Sequence, residues 1–212
     1  MEKATREFYD KRGAVLVKNL RKRHFEAYYC ATKAEALEQV LALMPAGSTV
    51  GWGGAISAAQ VGVQEAVHAG NYNVIDRDQF SDPAEKLRCM RECFNADFFI
   101  TGANALSLDG QMVNIDGNGN RVGMIVYGPK HIIVVAGMNK VCASIEDAVK
   151  RARTVAAPMN QQRFGLPNPC TCTGVCADCL SESSICNQIL ITRHCKPAGR
   201  IKFVLVGEEL GF

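Results

Sequence analysis

Apolar residues recur along the chain with two different periods, and together they divide it into alternating helices and strands. A period of three to four residues predicts a helix over residues 3–23, with Gly13 as a weak point. Thr32 and Glu35 form a capping box for a second helix, which we expect to end at Met44-Pro45. Three more helices are predicted. The first begins after the glycines that follow Trp52 and runs through His68, the second begins at Pro83, and the third spans Ser144–Ala156.

Short runs rich in β-branched and aromatic residues lie between these helices. They predict strands over Phe25–Cys30, Ser48–Trp52, Asn71–Asp76, Asp97–Thr101, His131–Ala136, Gln188–Thr192 and Ile201–Val206. Helices that alternate with buried strands are typical of an α/β protein with a mainly parallel, helix-covered sheet. Because no linker or repeat interrupts the alternation, we predict a single domain over residues 1–212.

The pattern changes after residue 105, where apolar and polar residues alternate. Leu106–Ile115 and Arg121–Tyr127 alternate in this way, and turn-forming residues at Asp109-Gly110 and over residues 116–120 join the alternating segments, so they are predicted as hairpin strands. We therefore expect an antiparallel excursion within the sheet.

Composition and charge narrow the functional classes. The chain has 212 residues, 48% of them hydrophobic, and a formal net charge of +3. That charge is too small to indicate nucleic-acid binding, and the basic stretch Lys18–Arg23 is expected on the solvated face of a helix. The longest apolar run, His131–Gly137, is too short to span a membrane, and the polar N-terminal stretch has no secretory signal. We expect a cytoplasmic protein.

Cysteines are the most informative residues of the composition. There are ten, and six of them lie between Cys170 and Cys195. Because a reducing compartment disfavours structural disulfides, clustered thiols there indicate metal or redox chemistry. We therefore predict a C-terminal, cysteine-rich, metal-binding insertion over residues 167–187. The predicted metal ligands are Cys170, Cys176, Cys179 and Cys186, with Cys172 and Cys195 as alternatives.

The spacing of these cysteines leaves two metal centres open. A zinc site typically has two Cys-x2-Cys pairs, whereas this segment has one, formed by Cys176 and Cys179. A [4Fe–4S] cluster takes four thiolates, which are often three close together in the sequence and one remote. The spacing therefore favours a [4Fe–4S] cluster, and zinc is the alternative.

Glycines, amides and cations that follow the predicted strands indicate a ligand site. The glycine loop after Trp52 opens a helix near Ser57, and backbone N–H groups at such a place attract anions. The asparagine-rich segment that ends at Arg121 is only partly explained by turn formation. Lys140 follows the strand that begins at His131, and open α/β sheets bind ligands at their strand ends. The residues predicted to bind a small anionic ligand are Gly53, Gly54, Ser57, Asn104, Asn120, Arg121 and Lys140.

Six stretches in order along the chain resemble the LUD-domain family, the lactate-utilisation proteins. They are Val50–Gly54 (VGWGG), Asp97–Ala105 (DFFITGANA), Asp109–Arg121 (DGQMVNIDGNGNR), Tyr127–Lys130 (YGPK), Val134–Lys140 (VVAGMNK) and Pro169–Cys186. The resemblance implies a Rossmann-like fold related to ribose-5-phosphate isomerase and the CoA transferases. It also implies a part in the oxidation of lactate or similar 2-hydroxy acids, beside iron–sulfur partner proteins. The family's glycine loop usually continues with Ser and then Thr, where this chain has Ala55 and Ser57.

Three functions are compatible with these features. The first is a redox component of organic-acid metabolism, either an accessory protein or an oxidoreductase subunit, which binds a small anion and carries a [4Fe–4S] cluster. The second is a non-redox enzyme on a phosphorylated sugar or an acyl-CoA, which would need a carboxylate base such as Asp109 or Asp116. The third is a ligand-sensing or assembly protein with structural zinc.

Overall fold

The computed structural model describes residues 2–212. The helices are α1 (Lys3–Lys22), α2 (Lys33–Ala42), α3 (Ile56–Val61), α4 (Val63–Ala69), α5 (Pro83–Glu92), α6 (Asn120–Tyr127), α7 (Ile145–Arg151), α8 (Ala157–Phe164) and α9 (Pro169–Thr173). The strands are β1 (Glu26–Cys30), β2 (Thr49–Trp52), β3 (Asn73–Ile75), β4 (Phe98–Thr101), β5 (Ala105–Ser107), β6 (Met112–Asp116), β7 (His131–Gly137), β8 (Val141–Cys142), β9 (Gln188–Thr192) and β10 (Ile201–Val206). Over residues 2–212, no helix has the length and apolar character that crossing a membrane requires.

Six strands form a fully parallel main sheet in the order β1-β10-β7-β4-β2-β3. Successive side chains of a strand point to opposite faces, so Ile132 and Val134 of β7 join one core cluster, and Ile133 and Val135 join another. The first cluster includes residues of α1 and α6, and the second includes residues of α2, α3 and α4. The result is an α/β, Rossmann-like arrangement in which helices cover both faces of a parallel sheet.

Four further strands form a second, mixed sheet in the order β8-β5-β6-β9. Strand β6 is antiparallel to both β5 and β9, whereas β5 and β8 are parallel. The antiparallel excursion expected after residue 105 is therefore a separate sheet, and it also contains β9. Small residues of the α7–α8 region, Ala148, Ala152 and Ala157, form a third core cluster with Val113 and Ile115.

The prediction of a strand over Arg121–Tyr127 is wrong, because these residues belong to α6. The carboxylate of Asp116 accepts hydrogen bonds from the backbone N–H groups of Asn118, Gly119 and Val122, at 3.1, 3.2 and 3.1 Å. Side-chain acceptors at this position stabilise the first turn of a helix. Capping outweighs the β-branched and aromatic composition that predicted a strand.

Two predicted helices have different bounds in the structure. The helix expected through His68 is divided into α3 and α4 by Gly62, whose φ of 87° is left-handed. The helix expected over Ser144–Ala156 continues through a π-helical turn into α8 and ends at Phe164. The wider π turn directly precedes Pro158 in the first turn of α8, where a residue without an N–H group is tolerated.

Candidate functional site

The carboxyl ends of β2, β4 and β7 lie at one edge of the main sheet. Gly53 directly follows β2, Asn104 comes shortly after β4, and Lys140 ends the 3₁₀ turn after β7. A cavity of about 530 Å³ opens at this edge, and it is called the basic pocket below. The predicted ligand-binding residues that line it are Gly54, Ser57, Asn104, Asn120, Arg121 and Lys140. Gly53 does not line it, because this residue packs against the ring of Phe99.

Lys140 is a buried cation in the wall of the basic pocket. Its Nζ atom donates hydrogen bonds to Ser57 Oγ and to the Ala103 carbonyl oxygen, both at 3.1 Å. Burial, with smaller contributions from the charges of Arg151 and Arg121, lowers the pKa of Lys140 to about 7. The ammonium therefore gains or loses its proton close to neutral pH.

Arg121 reaches the basic pocket from the first turn of α6 and is held there by three neighbours. Its Nη2 atom donates to Asn104 Oδ1 at 2.9 Å and to the Ile115 carbonyl oxygen at 2.5 Å, and its Nε atom lies 3.9 Å from Asp116 Oδ2. Gly54 makes room for this side chain, since an added Cβ would lie 2.6 Å from Arg121 Nη1. Asn104 thus acts by positioning the guanidinium, while Asn120 donates from Nδ2 to Met90 Sδ at 3.3 Å.

The two carboxylates considered as catalytic bases are both occupied by structural contacts. Asp109 lies outside the basic pocket, and its carboxylate pairs with Arg23 Nη2 at 2.5 Å. Asp116 lines the pocket, but its oxygens accept the backbone hydrogen bonds that begin α6. Neither side chain has the freedom that a general base needs to approach a substrate.

Sequence reasoning missed two arginines of the basic pocket. Arg77 lies in a 3₁₀ turn after β3, and Arg163 lies in the last turn of α8. Neither belongs to a glycine-rich or strand-end motif. Only the continuation of a helical pattern through Pro158 could have indicated that Arg163 belongs to an ordered element near the site.

Four of the six late cysteines line a second, smaller cavity of about 120 Å³, called the cysteine cavity below. They are Cys170, Cys176, Cys179 and Cys186. Burial and, to a smaller extent, the nearby thiols of Cys176, Cys170 and Cys179 together raise the pKa of Cys186 to about 11. The four thiols therefore lie within electrostatic range of one another.

The other two late cysteines are placed elsewhere. Cys172 is exposed on α9 and does not line the cysteine cavity. Cys195 is buried in the core with Leu16 and Leu20, and its thiol donates to the Pro197 carbonyl oxygen at 3.1 Å. The four cysteines first predicted as ligands are brought together, and the two alternatives are not.

The donor set of the cysteine cavity fits a thiolate-held metal centre. Within residues 2–212, no three His, Cys, Asp or Glu side chains are arranged as ligands of one metal ion. The cavity nevertheless offers four thiols around a space several times larger than one water molecule, which occupies roughly 30 Å³ in the liquid. Four thiolates are the set that holds a [4Fe–4S] cluster, and they also suit zinc.

The basic pocket and the cysteine cavity share a wall. Ile115 lines both, and the residues on either side of Cys186, Ile185 and Asn187, line the basic pocket. The wall is tightly packed, because a Cβ added to Gly117 would lie 3.1 Å from the Cα atom of Ile185. The Asn187 backbone N–H donates to the Asp116 carbonyl oxygen at 3.0 Å. A ligand in the pocket would therefore lie one layer of residues from the thiols.

These features define an α/β protein with a basic pocket at the carboxyl edge of a parallel sheet and a cysteine cavity behind one pocket wall. The family model of the LUD domain matches residues 13–206 of the chain. The chain therefore belongs to the LUD-domain family and is a protein of the lactate-utilisation type.

The chain is similar to several solved structures. The chain is similar to a DUF162 family protein, which is of the LUD type, from Deinococcus radiodurans, with 12% sequence identity and a TM-score of 0.51 over 93% of this chain and 97% of that chain. It is also similar to ribose 5-phosphate isomerase A from Neisseria gonorrhoeae (16% identity, TM-score 0.35, 52% and 53% covered) and to ribose 5-phosphate isomerase from Plasmodium falciparum (17%, 0.33, 52% and 52%). At these identities the first likeness shows the fold alone. Curated proteins give no match.

Proposed function

We propose that this LUD-domain protein is an iron–sulfur redox component of organic-acid metabolism, which binds a small anion such as a 2-hydroxy acid next to a [4Fe–4S] cluster. The observation that carries the proposal is the wall shared by the basic pocket and the cysteine cavity, where Ile115 lines both. A pocket and a redox centre in such contact can influence each other through packing and charge.

The charges of the basic pocket support an anionic ligand. Its lining contains four basic side chains and two acidic side chains, and one of the acidic side chains, Asp116, is engaged by backbone N–H groups. Arg121 offers a guanidinium whose position is fixed by Asn104, and Lys140 adds an ammonium that faces Ser57. Fixed guanidinium and ammonium groups are the donors that bind carboxylates most strongly.

The thiols of Cys170, Cys176, Cys179 and Cys186 would hold the cluster, as thiolates. A [4Fe–4S] cluster at this place would supply one-electron storage, to be exchanged with iron–sulfur partner proteins. The chain's own residues would bind and orient the anion at Arg121, and Lys140 would take up or release a proton near neutral pH.

The proposal is tested by electron paramagnetic resonance on the reduced, anaerobically purified protein, with and without lactate. We expect lactate to change the cluster spectrum of the wild-type protein, because the ligand binds one wall away from the thiols. In Gly54→Ala the added Cβ displaces the guanidinium of Arg121, so the cluster should remain and the lactate effect should be lost.

Gly47→Ala is the matched control, because Gly47 also has a left-handed φ, of 81°, but an added Cβ there meets nothing within 4 Å. This variant should retain the lactate effect. A wild-type spectrum that lactate and other 2-hydroxy acids leave unchanged would refute the proposed coupling, and so would a lactate effect that persists in Gly54→Ala.

A further inference from the structure

Two arginines of the basic pocket, Arg77 and Arg163, are not needed for a small monocarboxylate. We infer that they form a second anion subsite, and that the ligand is a phosphorylated hydroxy acid with its carboxylate at Arg121 and Lys140 and its phosphate between Arg77 and Arg163. This inference rests on the proposed function, since it specifies the ligand class of the same pocket.

The contacts of the two arginines leave their guanidinium groups available. Within the described residues, Arg163 has no ion pair, and its side chain makes a cation–π contact, 4.5 Å from the centre of the Phe164 ring. Arg77 lies 3.7 Å from Asp78 through Nε, and its Nη1 atom donates to Met90 Sδ at 3.0 Å. A thioether is a weak acceptor, so most donors of both groups remain for a ligand.

The charges of the three pocket arginines act on one another. Burial, and then the charge of Arg77, lowers the pKa of Arg163, while Asp78 opposes this. Burial lowers the pKa of Arg121, the charge of Asp116 opposes this, and the charge of Arg163 makes a smaller contribution that lowers it further. Arg163 is therefore electrostatically coupled to both other arginines. Like charges brought together without an anion between them cost free energy, which a bound dianion relieves.

The size of the pocket agrees with a ligand longer than lactate. Its volume of about 530 Å³ lies within the roughly 300–1,000 Å³ that encloses drug-sized ligands. A three-carbon acid bound at Arg121 and Lys140 would leave the part near Arg77 and Arg163 empty. A planar guanidinium binds phosphate through two parallel hydrogen bonds, so a pair of them suits a phosphate group.

Calorimetric titration of the metal-loaded full chain with glycerate and with 3-phosphoglycerate tests the inference, because the two compounds differ only in one phosphate. We expect 3-phosphoglycerate to bind at least about tenfold more tightly. In Arg163→Gln, the affinity for 3-phosphoglycerate should fall about tenfold, while that for glycerate should stay within about twofold. Arg77→Gln should also weaken the binding of 3-phosphoglycerate.

Arg193→Gln is the matched control, because Arg193 is exposed, lies outside the basic pocket and carries the same charge. It should leave both affinities unchanged. If glycerate binds and 3-phosphoglycerate binds no more tightly, the second subsite is refuted and the proposed function stands. The same holds if Arg193→Gln weakens the binding of 3-phosphoglycerate as much as Arg163→Gln does. If neither compound binds, the ligand pocket of the proposed function is refuted as well.

Discussion

Lys140 shows how a single residue can make the basic pocket sensitive to pH. Its Nζ atom is held by Ser57 Oγ and a backbone carbonyl, and no carboxylate pairs with it among the residues that the structure describes. Burial disfavours the charged form of a lysine, so the pKa falls to about 7. The charge that faces an anionic ligand therefore changes within the physiological range.

Binding of lactate should weaken as the pH rises through about 7, because Lys140 of the free protein then loses its proton. Lactate stays ionised over this range, so the decrease should approach at most about tenfold per pH unit. Lys140→Gln should bind lactate more weakly, with an affinity that does not vary with pH. Calorimetric titrations at several pH values measure both proteins, and a wild-type affinity that is constant through neutral pH would exclude this role for Lys140.

At the residue scale, the sequence predicts those site residues whose position is fixed locally. Gly54 and Lys140 lie within three residues of the ends of β2 and β7, and the carboxyl ends of parallel strands meet at one edge of the sheet. The cysteines are likewise marked by their own clustering. Arg77 and Arg163 could not be predicted in this way, because they reach the pocket only through the packing of a turn and the end of α8.

At the element scale, the strands of the main sheet follow from their apolar runs, whereas helix α6 does not. Its sequence is rich in residues that favour strands, but the capping contacts of Asp116 and the burial of Val122 and Ile125 stabilise a helix. The hydrophobic periodicity of a sequence does not reveal such tertiary contacts. Strand β9 belongs to the second sheet because it pairs with β6, and no local sequence pattern specifies this pairing.

The turn between β5 and β6 attaches the second sheet to α1. Asn19 donates from Nδ2 to the Leu108 carbonyl oxygen at 2.8 Å, and Arg23 donates from Nε to that of Asp109 at 2.8 Å. Gly110 has a φ of 95°, and a Cβ added there would lie 2.9 Å from backbone atoms of α1. The turn can approach the helix this closely only with glycine at position 110.

Gly110→Ala should lower the free energy of unfolding by roughly 2–4 kcal/mol, because it combines a strained φ with a backbone collision. Gly47→Ala has a left-handed φ without a collision, so it should cost about 1 kcal/mol. Denaturant unfolding of both variants and the wild-type protein measures the difference. Equal losses in the two variants would contradict the close packing of the turn on α1.

At the scale of the whole molecule, the second sheet connects the cysteine-rich segment to the basic pocket. Strand β6 ends at Asp116 in the pocket wall, and β9 begins at Gln188, directly after the last residues of the segment. Asp116 pairs with Gln188, and Ile115 pairs with Ile189, across this ladder. Asn168 fixes the other end, since its Nδ2 atom donates to the Ser183 carbonyl oxygen at 2.9 Å. The thiols and the pocket are thereby built into one unit.

The iron and acid-labile sulfide content of anaerobically purified protein tests the proposal that four thiols of this unit hold a [4Fe–4S] cluster. We expect about four irons and four sulfides per chain. Both should be lost in Cys176→Ser, which removes a thiol of the cysteine cavity, and retained in Cys172→Ser, which does not. One zinc without iron, or equal loss of iron in the two variants, would overturn the proposed cluster.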